Sequence, residues 1–220
     1  GNQLFQINTG KYLSKKGLKI KYVTNLIKKN FFTEKILRWK IHANLIDSFV
    51  KDLDFHNHPN HLPPILAKLK VSKSFSYYYP SVIDTRSLST HIFGYFQDNS
   101  FNKKLWFEDD LELKRPKVEL KSERIMHLRF TDANNFGDNI KFYKTVIREN
   151  RSEDFLVCTD DINYAKSFLD KEKAYNFQIS NGTPMDDFYL LTSAKELVIA
   201  PSSFSWWAGK LNNSLQKYWI

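Results

Sequence analysis

The sequence predicts an α/β protein whose parallel sheet is covered by helices on both faces. From residue 124 onward, apolar runs of strand length (RIMHLRF, FLVCT, AYNFQI) alternate with segments of helical periodicity. Strands apolar on both faces, separated by amphipathic helices, are the pattern of a buried parallel sheet. The last such run, Glu196 to Ala200, leads into Pro201, two serines and the aromatic segment FSWWAGKLN. There Phe204, Trp207, Ala208, Leu211 and Leu215 recur at i, i+3, i+4, i+7 and i+11, which makes one apolar helical face. Trp207 belongs to that face, whereas Trp206 is turned about 100° away from it.

The elements follow in order. Asn2 to Lys15 has helical spacing through Leu4, Phe5, Tyr12 and Leu13, and Gly17 ends it. LKIKYV (18–23) alternates as a strand. A helix placed before the first strand implies a further strand upstream of Gly1. Residues 25–51 read as a helix carrying Ile36, Trp39, Ile46 and Phe49, and FHNHPNHLPP (55–64) as a loop. HIFGYFQ (91–97) reads as a strand with a turn, and the charged stretch 107–117, ending in Arg115-Pro116, as a linker. The boundary implied is between a domain at 1–112 and one at 113–220. In the latter, strands at 124–130, 155–159, 174–179 and 196–200 alternate with helices at Asn139–Arg148, Ile162–Leu169 and Asp186–Lys195. The acids opening the last of these suit the helix dipole.

Composition sets the class. The 220 residues are 42% hydrophobic and 26% charged, which describes a globular chain rather than a disordered one. Cys158 is the one cysteine, so no intrachain disulfide is available. Inside the apolar run FLVC it reads as a buried structural thiol, and its solitude fits a reducing, cytoplasmic compartment. No apolar run approaches the ~18 residues of a spanning helix. The polar start Gly1-Asn2-Gln3 is unlike a signal peptide, and the missing initiator Met implies sequence upstream. The net charge of +9 is uneven: residues 1–112 carry 17 Lys+Arg against 10 Asp+Glu, and residues 1–33 hold seven lysines and no acid. Such a block attracts anionic surfaces, a membrane face among them, although a solvated lysine-rich face is the commoner meaning. Nothing resembles a motif that reads RNA or DNA, so no nucleic-acid partner is expected.

Three segments place polar groups at the carboxyl ends of strands, where α/β sheets bind ligands. HLRFTD leaves His127, Arg129, Thr131 and Asp132 after the first strand of this half. TDD leaves Asp160 and Asp161 after the second, and PSS leaves Ser202 and Ser203 at the entrance of the aromatic helix. An arginine fork matches phosphate geometry, and a helix N-terminus presents unpaired N–H groups to an anion. With acids to accept from ribose or base, the set suits a nucleoside diphosphate. Taken singly, Ser202 and the Asp160-Asp161 pair are more often plain helix caps.

GNQLFQ (1–6), GYFQ (94–97), HLRFTD (127–132), VCTDDINYAK (157–166) and SSFSWWAGKLN resemble, in order, the α-1,2-fucosyltransferases of glycosyltransferase family 11. The resemblance implies a GT-B-like architecture, two Rossmann-like domains facing across a cleft, with GDP-L-fucose held mainly by the second. It implies inverting transfer of fucose to a sugar hydroxyl, usually the 2-position of a galactoside. Acceptors of that kind include O-antigen or capsule repeats, which can be lipid-linked at the inner face of a bacterial membrane. By position, Arg129 resembles the essential arginine facing the donor diphosphate, and His127 and Asp132 belong to the same motif. Asn2 and Gln3 resemble the N-terminal motif that closes on the donor. Asp160 and Asp161 resemble the acidic pair of the second donor motif, and Ser202 and Ser203 the serines beside the diphosphate. No cofactor and no metal are implied, since a cationic arginine replaces the metal.

The chain departs from the family's usual His-Val-Arg-Arg-Gly-Asp-Tyr at Phe130, Thr131 and Ala133, so the second arginine is absent. A Thr-Asp pair after the arginine also occurs in related α-1,6-type enzymes. The family's Gly-Gly-Leu strand end is missing before Gly1, and the chain stops soon after the aromatic helix, so both ends read as truncated. Two alternatives keep the fold: another nucleotide-deoxysugar donor, or an inactive glycan or nucleotide binder. His56, His58 and His61 have chelating spacing, but without a further ligand pair a solvated loop is the commoner meaning.

Overall fold

The computed structural model describes residues 2–20, 22–23, 55–56, 75–78, 91–94, 96–97, 102–107, 122–131 and 136–219. The chain divides into two units, Asn2–Lys114 and Arg115–Ile220. The expected helix at 25–51, the linker beyond Phe107, and His58, His61 and Asp132 lie outside the described residues.

In the first unit, helix α1 (Asn2–Lys15) buries Leu4, Phe5, Ile7 and Leu13. It ends as the glycine requires: Gly17 takes φ 87°, its N–H donates to Ser14 O and that of Leu18 to Leu13 O. This paired closure satisfies the last carbonyls and brings Leu18 against Leu13. It also explains why the expected strand over 18–23 shrinks to β1 (Tyr22–Val23): Leu18 and Ile20 pack against the helix end instead. β1 pairs in parallel with β2 (Phe55–His56), which occupies the first two positions of the expected loop. β3 (Phe75–Tyr78) pairs in parallel with β4 (His91–Gly94). The strand expected to reach 97 stops there, because Phe96 turns to φ 50°, a left-handed value that ends an extended run. Asn8, wholly buried, ties α1 to the segment 102–107. Its amide donates to Asn102 Oδ1 and Lys104 O, both at 3.1 Å, and accepts from Trp106 N at 2.7 Å.

The second unit alternates as its sequence predicts: β5 (Arg124–Leu128), α2 (Phe136–Glu149), β6 (Phe155–Thr159), α3 (Ile162–Lys171), β7 (Phe177–Ile179), α4 (Pro184–Ser193), β8 (Glu196–Val198), α5 (Ser203–Lys210) and β9 (Lys217–Trp219). Its five strands lie in the order β7-β6-β5-β8-β9, all parallel. Met126 of β5 sits between Val157 of β6 and Val198 of β8. The winding therefore runs outward from β5 through β6 to β7, then returns to start again on β5's other side.

Strand alternation divides the core in two. Met126, Leu128, Val157 and Val198 join Tyr143, Val146 and Ile147 of α2 and Ala165, Phe168 and Leu169 of α3 in one cluster. On the other face, Ile125, His127, Cys158 and Leu197 are buried beneath α4 and α5. The rings of Phe188 and Phe204 meet there at 5.1 Å. Gly209 lets α5 approach β8, since a Cβ there would stand 3.0 Å from Ile199 Cδ1.

Several boundaries differ from expectation: α2 starts at Phe136 rather than Asn139, and β5 and β8 each end two residues early. α4 starts two residues early, because Thr183 caps it, Pro184 suits the first turn, and Asp186 closes a reciprocal capping box. The strand expected from Ala174 begins only at Phe177, after a turn. α5 stops at Lys210 with Leu211 as its C-cap, so Leu215 leaves the predicted face and the chain turns into β9, a strand too short to show alternation. Asn212 makes that turn. Its amide donates to Leu191 O (3.1 Å) and Ala194 O (2.7 Å) at the end of α4, and its carbonyl accepts from Ser214 N (2.8 Å).

Asn212→Ala leaves these three backbone groups without partners, two of them in bonds buried from water. A loss of about 2–4 kcal/mol in stability is expected from urea unfolding; a change under about 1 kcal/mol would mean that the turn is held some other way.

Candidate functional site

In a doubly wound sheet, the loops after the two strands flanking the reversal point diverge to opposite faces and leave a crevice between them. Here those strands are β5 and β8. The rim from β5 is Arg129, Phe130 and Thr131; the rim from β8 is Ile199 to Ser202, opening α5. His127, one residue inside the end of β5, tilts its ring against Phe204 of α5 with centroids 5.6 Å apart. Arg129 and the serines, 73 positions apart at the closest in sequence, thus follow adjacent strands.

Each rim is held by short polar contacts. Ser202 caps α5: its hydroxyl accepts from Phe204 N at 3.2 Å. Ser205, buried, donates to Ala200 O at 3.1 Å and pins the first turn to the end of β8. Ser203 occupies the first helical position, half-buried. Its N–H points out of the helix start, where the dipole favours an anion. On the opposite rim, the Arg129 N–H donates to Tyr143 Oη at 3.3 Å. The next two N–H groups, of Phe130 and Thr131, donate to the two carboxylate oxygens of Asp160 at 2.8 and 3.2 Å, and the Thr131 hydroxyl adds a bond of 2.5 Å.

The electrostatics follow from these contacts. Burial tends to raise the Asp160 carboxyl, but bonds from Thr131 and Phe130 and the Arg129 charge outweigh it, and its pKa lies below the ordinary value. His127 is lowered to about 4, chiefly by burial and then by the Arg129 charge, with Asp160 opposing. It is therefore a neutral imidazole, and its Nδ1 has no hydrogen-bond partner among the described residues. Tyr143 is raised above its usual range by burial, so its hydroxyl stays protonated. Beneath α4, burial raises the Cys158 thiol well up. It lies against Asp187, itself raised by burial while accepting from Ser180 Oγ at 2.7 Å. A buried protonated thiol is inert, as the sequence predicts.

The other predicted residues fall as follows. Asp161 is the N-cap of α3 and accepts from Tyr164 N at 2.9 Å. Asn2 and Gln3 open α1; Asn2 is exposed and accepts from Gln97 Nε2 at 3.0 Å. That bond joins two of the family-like segments, GNQLFQ and GYFQ. Phe130, at the position of the family's second arginine, faces inward rather than to the crevice: it is 8% exposed and meets Tyr143, Tyr164 and Phe168. Trp207 is wholly buried and Trp206 half-buried across it. Sequence reasoning missed Tyr143 and Ser205, a helical hydroxyl without signal. Gln97 was present only inside GYFQ. Among the described residues, no three His, Cys, Asp or Glu side chains converge as a metal site, and no helix is long and apolar enough to cross a membrane.

The fold defines a doubly wound α/β unit whose strand order reverses between β5 and β8. Residues 129–216 match the family model for glycosyl transferase family 11, the family that the motifs resemble. The match spans Arg129, Asp132, Asp160, Asp161 and both serines, and less than half of the chain. No curated protein and no solved structure matches the chain. The parallel α/β sheet is compatible with a GT-B-like glycosyltransferase, and the family match supports one of the fucosyltransferase type.

The state of His127 makes a pH prediction. Above pH 6.5 the imidazole is neutral both folded and unfolded and contributes nothing. Between 6.5 and 4 the unfolded chain takes up a proton that the folded one refuses, so stability falls as pH falls, by about 3 kcal/mol in all. Below 4 the loss is complete. In urea melts at pH 7 and 4.5, the stability difference between wild type and His127→Asn should shift by about 2–3 kcal/mol in the variant's favour at the lower pH. A pH-independent difference would show that His127 is not buried as a neutral ring.

Proposed function

We propose that the chain is an inverting glycosyltransferase that moves L-fucose from GDP-L-fucose to a sugar hydroxyl of a glycan, the 2-position of a galactoside. The observation that carries this reading is the placement of Arg129 across one crevice from the N-terminus of α5, within the stretch that matches the family. In the transfer, the acceptor hydroxyl gives up its proton to a base as its oxygen bonds to C1 of fucose. The bond from C1 to the diphosphate breaks with its electron pair leaving on GDP. Negative charge grows on the departing GDP, and fixed donors aimed at it are most valuable at that moment. Arg129 supplies a planar cation, and Ser203 with the helix start supplies N–H and hydroxyl donors. Ser202 acts as the cap that fixes that start.

The reading assigns donor binding to the 113–220 domain, with His127, Asp132 and Asp161 lining the donor site, and acceptor binding to the 1–112 domain. By resemblance, Asn2 and Gln3 add donor contacts. No divalent metal is required, because the arginine and helix end meet the diphosphate charge. A donor with another deoxysugar on the same nucleotide fits these contacts equally, so the nucleotide and the sugar are tested separately.

Arg129→Ala should weaken GDP binding by about 10–150-fold, the equivalent of a charged hydrogen bond, and transfer by more. Arg129→Lys should fail nearly as badly, having the charge without the fork. Calorimetry with GDP, UDP and dTDP, followed by transfer assays from GDP-fucose and GDP-mannose with and without EDTA, checks each part. Near-normal transfer by the alanine variant would overturn the site, and activity abolished by EDTA and restored by Mg²⁺ would overturn metal independence.

The acceptor is proposed to be lipid-linked, met at the inner face of an anionic membrane. Lys15, Lys16 and Lys19 are exposed at the end of α1, within the acid-free block. Each basic residue near such a surface contributes up to about 1 kcal/mol, screened by salt. Flotation with phosphatidylserine vesicles should show binding that fades as salt is raised; equal binding to neutral vesicles, or none to either, would remove this location.

A further inference from the structure

We propose that Asp160 is a positioning residue for Arg129 rather than a donor ligand, an inference that rests on the donor-site reading above. A carboxylate offers about four acceptor sites, and three are filled from residues 130 and 131: two backbone N–H groups and one hydroxyl. Its anchor is rigid, since it directly follows β6, the strand paired with β5. One residue further back, Tyr143 accepts the Arg129 N–H, and the Phe130 side chain is buried in the cluster beneath. All three consecutive N–H groups of the turn are therefore spent inside the protein. Many dinucleotide-binding sheets use the glycine-rich turn at this place as a backbone cradle for phosphate. This turn, Arg129-Phe130-Thr131, has no glycine and no N–H left to offer. Among the described residues of this rim, anion binding falls to the Arg129 side chain, and its backbone is clamped from both sides. The clamp stays ionised well into acid, because the same bonds hold the Asp160 pKa down.

The consequence is that removing the clamp should act through Arg129 and through nothing else. GDP and guanosine affinities are measured by calorimetry and NMR titration for wild type, Asp160→Asn, Arg129→Ala and the double variant, each checked by circular dichroism and thermal melting. Asp160→Asn is expected to weaken GDP about tenfold or more, to leave guanosine unchanged, and to add nothing in the Arg129→Ala background. A loss that merely reflected a weaker fold would not vanish in that background. Thr131→Val, which removes one of the three bonds, should show a smaller loss of the same pattern and serves if Asp160→Asn does not fold. The proposal is overturned if Asp160→Asn binds GDP normally, if guanosine is weakened equally, or if the two substitutions are additive. Should wild type fail to bind GDP at all, the donor reading itself fails and takes this proposal with it. Loss of binding in Arg129→Ala with none in Asp160→Asn or Thr131→Val overturns the positioning role alone.

Discussion

The pairing of β5 with β8 is the constraint on which the rest of the second unit depends. The chain winds from β5 through β6 to β7, and parallel crossovers of one hand place α2 and α3 on the same face. Returning to pair β8 with β5 carries α4 and α5 to the other face. The register Met126–Val198 then puts Leu128 and Ala200 at the same sheet edge, with their loops leaving in opposite directions. A crevice follows from topology alone. His127 against Phe204 fills its floor, which is why an imidazole is buried there and kept neutral.

Around that crevice, side chains do work that regular backbone pairing leaves undone. Each helix and strand end carries unpaired N–H or C=O groups, and buried ones must find partners. Ser202, Ser205, Asp161 and Thr183 meet this need at helix starts. Asn212 meets it where α4 and α5 end. Asp160 and Tyr143 meet it at the end of β5. Most of these residues carry no apolar periodicity, yet they determine where the rims stand. Asn8 and Asn102 play the same part in the first unit, where the Asn102 amide also donates to Phe96 O at 2.8 Å.

Much of the second unit is legible in sequence because burial on both faces makes each strand an apolar run and each helix an amphipathic one. FLVCT is a strand at the expected positions, and Ala165, Phe168 and Leu169 face the core as their spacing requires. Misplaced boundaries arise where a capping side chain competes with periodicity, as Thr183 and Asp186 do at α4 and Asn212 does after α5. β9 escapes because three residues cannot establish a period of two. In the first unit, Gly17 marks the end of α1, but the packing of Leu18 and Ile20 against that end looks in sequence like the start of a strand.

The sequence by itself determined the alternation of elements, the inertness of Cys158, the core role of Trp207 and the family-like segments around Arg129 and the serines. These depend on residue type and local spacing, which a linear chain displays directly. Only the tertiary structure decided the strand order, and with it the adjacency of the strands that lead into Arg129 and into the start of α5. It alone turned Phe130 into the core at the place of an expected cation, and brought Asp160 onto the backbone that follows Arg129. Such pairings join residues some 30 to 70 positions apart. They arise from which strands lie side by side and which face each side chain takes, and neither is written in local periodicity.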